Sequence, residues 1–334
     1  MPVRYLVTGG AGFIGSHLVE RIVRDGHDVT VLDNLASGKP GNLAQASTTG
    51  RVQLVEGSIL DEAAVDRAMR GVDAVFHLAV ECVRKSLGQP IENHAVNATG
   101  TLLVLEAARR HRIGRFVYCS SSEVYGNYSE SALAEDTAVC APTTIYGAAK
   151  LAGELYTLAY WRTYGLPALV VRPFNAFGPR EHDRGVFAEV IPRFVIRVLN
   201  GLPPVVFGDG AQSRDFTYVT DTADGLWRAA NSNPALGTII NLGWGRPVTI
   251  QQVAEAVISE CGRNDISIQF IGVRPGDIRT LIADTRKAKT LIGFEPAVDF
   301  AEGIRRYVAW FRQTHPSSAE LLDDQAENWS MPKD

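Results

Sequence analysis

Residues 8–15 read Thr8-Gly9-Gly10-Ala11-Gly12-Phe13-Ile14-Gly15, between an apolar run at 3–8 and a helical pattern over Phe13–Arg24. In a strand–turn–helix of this kind, the glycine at Gly9 permits the tight turn. Gly12 lets backbone approach a pyrophosphate, and Gly15 lets the helix pack closely. The helix N-terminus then offers N–H groups and the positive end of its dipole to phosphates, with Phe13 and Ile14 opening that helix. A plain glycine-rich turn is the competing reading, and the next strand argues against it. The run at 29–33 closes on Asp33-Asn34, where a carboxylate suits the adenosine ribose hydroxyls and repels a 2′-phosphate. The pattern implies NAD rather than NADP.

Outward from that turn, the runs at 52–57, 73–79, 115–121 and 168–173 read as further strands. Residues 91–111 and 142–164 read as helices, with Pro142 in the first turn of the second and Gly165 at its end. Strands separated by helical patterns indicate βαβ units and a parallel sheet covered on both faces. After Gly178 the rhythm breaks, and glycine and proline crowd residues 201–204 and 208–210. The expected fold is α/β. A modified Rossmann domain over 1–178 carries the cofactor and catalytic residues, a smaller mixed α/β substrate lobe over 179–315 is interleaved with it, and 316–334 is a polar tail.

The 334 residues are 46% hydrophobic and 21% charged, ordinary for a globular protein. Thirty-three basic and 37 acidic residues give a net charge of −4, which argues against a broad nucleic-acid surface. No apolar run is long enough for a membrane span, and no signal peptide precedes the glycine motif. Cys82, Cys119, Cys140 and Cys261 show no metal-binding spacing and read as free thiols in a reducing compartment, so a cytoplasmic protein without a metal is expected.

Two further segments carry chemistry. Ser120-Ser121-Ser122-Glu123-Val124-Tyr125-Gly126 leaves a strand end, and Tyr146-Gly147-Ala148-Ala149-Lys150 lies on the next helix. Tyr146 and Lys150, four apart, share a helix face. An ammonium near a phenol lowers its pKa, so Tyr146 can take a proton from a substrate hydroxyl while Ser121 holds the same oxygen. A solvated helix face is the usual meaning of that spacing alone.

In order along the chain stand the glycine motif, His77-Leu78-Ala79, Asn97-Ala98-Thr99-Gly100-Thr101, Tyr146 with Lys150, and Arg172-Pro173-Phe174-Asn175. Gly208-Asp209-Gly210, Arg214-Asp215-Phe216 and Arg274-Pro275-Gly276-Asp277 follow. Over residues 1–313 this set resembles the extended short-chain dehydrogenase/reductase family of nucleotide-sugar epimerases, dehydratases and decarboxylases. The resemblance implies bound NAD, a nucleotide-diphosphate sugar oxidised at C4 to a ketone, and a homodimer through the helices around 92–111 and 143–164. It implies cofactor contacts at Ser58, Ile59, Leu78, Ala79, Asn97, Tyr146 and Lys150, and substrate contacts at Glu81, Ser121, Asn175, Val190, Arg214 and Arg274. Guanidinium groups suit a diphosphate because they can engage its oxygens in two places.

Ser121-Ser122-Glu123 is similar to the pattern of GDP-mannose-type 4,6-dehydratases and UDP-glucuronate decarboxylases. It departs at Ser122 from dTDP-glucose dehydratases, where an aspartate is the acid for water loss. The sharper expectation is a 4,6-dehydratase or uronate decarboxylase in which Ser122 and Glu123 join the catalytic set and Glu123 is the base. The alternative is a 4-epimerase, in which Glu123 is structural, and a remote one is a non-catalytic NAD sensor. Ser58 stands where relatives have an adenine-binding Asp, and Glu81-Cys82 where dehydratases have Glu-Ser. Arg84, Lys85, Arg180, His182 and Arg184 are candidates for a uronate carboxylate or the diphosphate.

Overall fold

The expected strands assemble into one sheet. The computed structural model describes residues 2–127, 132–273 and 278–322. Seven strands pair in parallel: β1 (Arg4–Thr8), β2 (Asp28–Asp33), β3 (Val52–Glu56), β4 (Ala74–His77), β5 (Arg115–Cys119), β6 (Ala168–Pro173) and β7 (Ile239–Leu242). Their order is β7-β6-β5-β4-β1-β2-β3. The chain starts mid-sheet, runs to one edge, then returns to build the other side. The order therefore reverses between β1 and β4, where Thr8 lies beside His77, and a ligand crevice opens at the carboxyl ends of the strands there.

Alternation along the buried strands feeds two cores. Val7, Phe76, Val117 and Val171 face one way, against Leu18, Val19 and Ile22 of α1 (Phe13–Arg24). Leu6, Val75, Phe116 and Val170 face the other way. They meet Val65 and Met69 of α2 (Glu62–Met69), Val104 and Leu105 of α3 (Thr101–Arg110), and Leu158 of α4 (Ile145–Tyr164). Burial on both faces is why these strands read as near-continuous apolar runs.

Two helix boundaries differ from expectation. The helix expected over 91–111 is a short α-turn (Pro90–His94), a π-helical segment (Ala95–Gly100) and α3. Helix α4 begins at Ile145 rather than near Pro142, because the Thr144 hydroxyl accepts from the Gly147 N–H at 3.0 Å and caps the helix there. Gly165 closes it in the left-handed region, at φ 69°.

The later half of the chain returns to the sheet. It contributes β7, and Leu226 and Trp227 of α6 (Val219–Ala230) join the core that α1 covers. The rest packs around α5 (Val190–Leu199), α7 (Ile250–Glu260) and α8 (Phe300–Thr314), with Phe194, Val253, Val257, Tyr307 and Phe311 at its centre. Small strand pairs flank it: Val205–Phe207 with Gln269–Ile271, and Ser213–Asp215 between Pro247–Thr249 and Thr280–Leu281. The buried Asp215 carboxylate joins the parts, accepting from the N–H groups of Trp244, Gly245 and Ala283 at 2.7, 2.8 and 3.1 Å.

Candidate active site

One cleft at the carboxyl ends of β1, β2, β4, β5 and β6 gathers most of the expected residues. Gly9, Gly12, Phe13, Ile14 and Gly15 floor it. Gly9 takes φ 70°, and a Cβ there would lie 2.8 Å from the Ala79 nitrogen. A Cβ on Gly15 would strike the Gly9 carbonyl oxygen, so only glycine lets α1 start this close to the turn. The first turn of α1 carries no acidic side chain. Its N–H groups and dipole suit a diphosphate.

Asp33 is 7% exposed and lines the same cleft. Its carboxylate accepts from the Ala11 and Leu35 N–H groups, both at 2.9 Å. Burial raises its pKa, and these two bonds oppose the rise. Asp33 thus anchors the glycine turn and also presents an acceptor to the cleft. Asn34, Ser58, Ile59, Leu78 and Ala79 line the adjoining wall. Ser58 Oγ accepts from the Leu60 N–H at 3.1 Å.

The other end is built where β5 meets α4. Ser121, Ser122, Glu123, Tyr146 and Lys150 all line the cleft. Ser121 Oγ accepts from the Glu123 N–H at 3.2 Å and opens the 3-10 turn Ser122–Tyr125. Tyr146 is hydrogen-bonded to Ser121. Lys150 Nζ donates to the Cys119 carbonyl at 2.6 Å and sits 4.5 Å from the centroid of the Tyr118 ring. Burial lowers the Lys150 pKa to about 8. The expected lowering of the Tyr146 pKa is not met in the protein alone. Burial pushes the phenol up and Glu123 adds to that, while the Ser121 bond pulls it down. The Lys150 ammonium is instead spent on the Cys119 carbonyl.

Glu81 and Asn175 also line the cleft. Glu81 pairs with Lys85 at 2.8 Å. Asn97, expected against the cofactor, is buried behind the cleft wall: its Nδ2 donates to the Glu81 carbonyl and its Oδ1 accepts from the Glu81 N–H, both at 3.0 Å. The π-helical segment turns its side chain toward the Glu81 loop, so it braces that loop. Val190, expected against the substrate, packs on the apolar cluster of the second lobe and is not among the cleft residues. Arg214 likewise stands outside the lining and donates to the carbonyls of Ser213 and Ile278 at 2.9 and 2.6 Å. Arg274 lies outside the described residues.

Arg84, a candidate for substrate charge, is a buried latch. It donates to the carbonyls of Val186 and Phe187 at 2.5 and 2.6 Å and pairs with Glu189 at 3.1 Å. Phe187 and Glu189 line the cleft and were not anticipated. The only sequence hint was the glycine turn at Gly185 before the next helix. His182 also lines the cleft, its ring between Phe13 and Phe187. Arg180 pairs instead with Glu20, and Arg184 is exposed. Among the described residues, no group of three His, Cys, Asp or Glu side chains is placed to hold a metal, and no helix is long and apolar enough to cross a membrane.

Residues 5–243 match the NAD dependent epimerase/dehydratase family. The chain belongs to that family. A dTDP-glucose 4,6-dehydratase of Streptomyces niveus is 38% identical over 318 residues, 93% of each chain. The crystal structure of a UDP-glucose 4-epimerase of Thermotoga maritima with UDP-glucose superposes with TM-score 0.88 at 34% identity, covering 93% of this chain and 99% of that one. A dTDP-glucose 4,6-dehydratase of Streptomyces venezuelae with NAD bound gives TM-score 0.89 at 32% identity, covering 96% and 100%. The protein is thus an NAD-dependent enzyme that modifies a nucleotide sugar, and the glycine turn, the open first turn of α1 and Asp33 fit that cofactor.

Proposed function

We propose that the enzyme oxidises a nucleotide-diphosphate hexose at C4 and then eliminates water across C5 and C6, as a 4,6-dehydratase. The observation that carries this reading is the convergence of Ser121, Tyr146 and Glu123 on one cleft, where the Glu123 charge adds to the raised pKa of the Tyr146 phenol. NAD would be held by the glycine turn, the N-terminus of α1 and Asp33, and would supply a reversible hydride acceptor for the C4 hydrogen. Tyr146 takes the C4 hydroxyl proton, Ser121 holds that oxygen, and Lys150 keeps a positive charge one helical turn away. The ketone acidifies the C5 proton and Glu123 removes it; the C6–O bond breaks as the departing hydroxyl takes that proton from Glu123 and leaves as water, after which the hydride goes to C6 and a solvent proton to C5.

A uronate is the less favoured substrate, because the cleft-lining cations among the described residues are engaged. Arg84 holds Glu189, and Lys150 holds Cys119. One observation favours a 4-epimerase as the second reading: Ser122 offers a hydroxyl where a second carboxylic acid would protonate the leaving group. The test is Glu123→Gln. Bound NAD should still be reduced by substrate while dehydrated product is lost, and unchanged product formation removes Glu123 from the chemistry.

We also infer a homodimer through α3, α4 and the turn before them. Ile91, Leu102, Leu155 and Tyr164 stand exposed there, which supports a covered face.

A further inference from the structure

Three consecutive residues at the end of β5 each meet α4. The Cys119 carbonyl accepts from Lys150, Ser120 Oγ donates to Glu154 Oε1 at 2.5 Å, and Ser121 is hydrogen-bonded to Tyr146. The helix residues are 146, 150 and 154, spaced by four and therefore on one face. Glu154 and Arg172 are 1% and 2% exposed and form a two-pronged pair, Nε at 2.8 Å and Nη2 at 2.6 Å. The Arg172 guanidinium also lies 4.6 Å from the centroid of the Tyr125 ring, in the turn that carries Glu123.

We propose that Glu154 is a positioning residue, which through Ser120 and Arg172 locks the end of β5 and the turn after it in register with the Tyr146–Lys150 face of α4. A buried ion pair costs desolvation and is weak evidence for stability by itself. Here it is joined to the residue between two cleft contacts, which a purely structural pair has no need to touch. Its charge has a second effect. Lys150 faces Tyr118 and Cys119 of β5 and His77 of β4, with Tyr146 and Glu154 one turn away on its own helix. Of these, Cys119 first and then Glu154 help hold the proton on Lys150 against burial.

The inference rests on the roles proposed for Tyr146 and Lys150, so Tyr146→Phe is the control. Ser120→Ala removes the link and leaves the ion pair intact. It should lower the rate of bound-NAD reduction by about tenfold with KM unchanged. Glu154→Gln with Arg172→Met removes both buried charges. It should move the alkaline limb of that rate, and the Lys150 titration seen by lysine-selective NMR, to lower pH, because Glu154 is the nearer of the two lost charges. A lowered melting temperature with rate, limb and titration unchanged would overturn the inference, leaving a structural pair. Full NAD reduction in Tyr146→Phe would instead overturn the catalytic reading beneath it.

Discussion

The Lys150 ammonium is bound to the Cys119 carbonyl at 2.6 Å, in a site where burial holds its pKa at about 8. A cation one helical turn from Tyr146 is useful only while charged. The rate of bound-NAD reduction should therefore fall as pH rises through about 8, because Lys150 then loses its proton. Lys150→Met should lower that rate by a factor of about 100 to 10,000 and abolish this limb. Stopped-flow absorbance across pH checks both.

Gly15→Ala places a methyl group against the Gly9 carbonyl oxygen and 2.8 Å from the Gly10 Cα. Backbone must shift at the turn proposed to receive the diphosphate. The variant should be destabilised by about 1–3 kcal/mol and should purify with little NAD. Cofactor content after denaturation, with a thermal melt, reads both effects.

His77 is fully buried between Thr8 Oγ1 at 2.7 Å and Thr101 Oγ1 at 3.0 Å, and burial lowers its pKa from 6.5 to about 3. The unfolded chain takes up a proton in that window while the folded chain does not. Stability should thus be lost as pH falls from about 6.5 towards 3, at about 1.4 kcal/mol per pH unit from this residue. His77→Gln should start less stable at neutral pH but show a shallower acid slope in urea titrations.

Leu155 is 60% exposed at mid-α4, and Ile91 is 82% exposed in the preceding helical turn. Leu155→Glu should convert the proposed dimer to a monomer in sedimentation experiments. A wild-type chain that already sediments as a monomer would remove the proposal.

Much of the sheet was legible because its signals are local. The bounds of α1 and β6 follow from a glycine turn before one and an apolar run in the other. Asp33 was legible as an acceptor at a strand end, and it lines the cleft, although its bonds to Ala11 and Leu35 give it an anchoring task that the sequence did not announce. What the sequence left hidden depends on distant partners. The four-residue β7 reaches the sheet only by pairing with β6 after a long excursion. Arg84 looked like a solvated or substrate-facing charge, because its partners lie about a hundred residues away at Val186, Phe187 and Glu189. Asn97 was placed on the correct helical stretch, but a π-helical segment, which periodicity did not announce, turns it to Glu81.

The most direct test of C4 oxidation followed by Glu123-assisted elimination is product mass after incubation with UDP-, GDP-, CDP- and dTDP-hexoses in deuterated water. Uronates belong in the panel. The account predicts a product lighter by one water, with solvent deuterium in the sugar, and its loss in Glu123→Gln. A product of unchanged mass, without deuterium but with altered retention, would contradict it and identify a 4-epimerase in which Glu123 only shapes the turn.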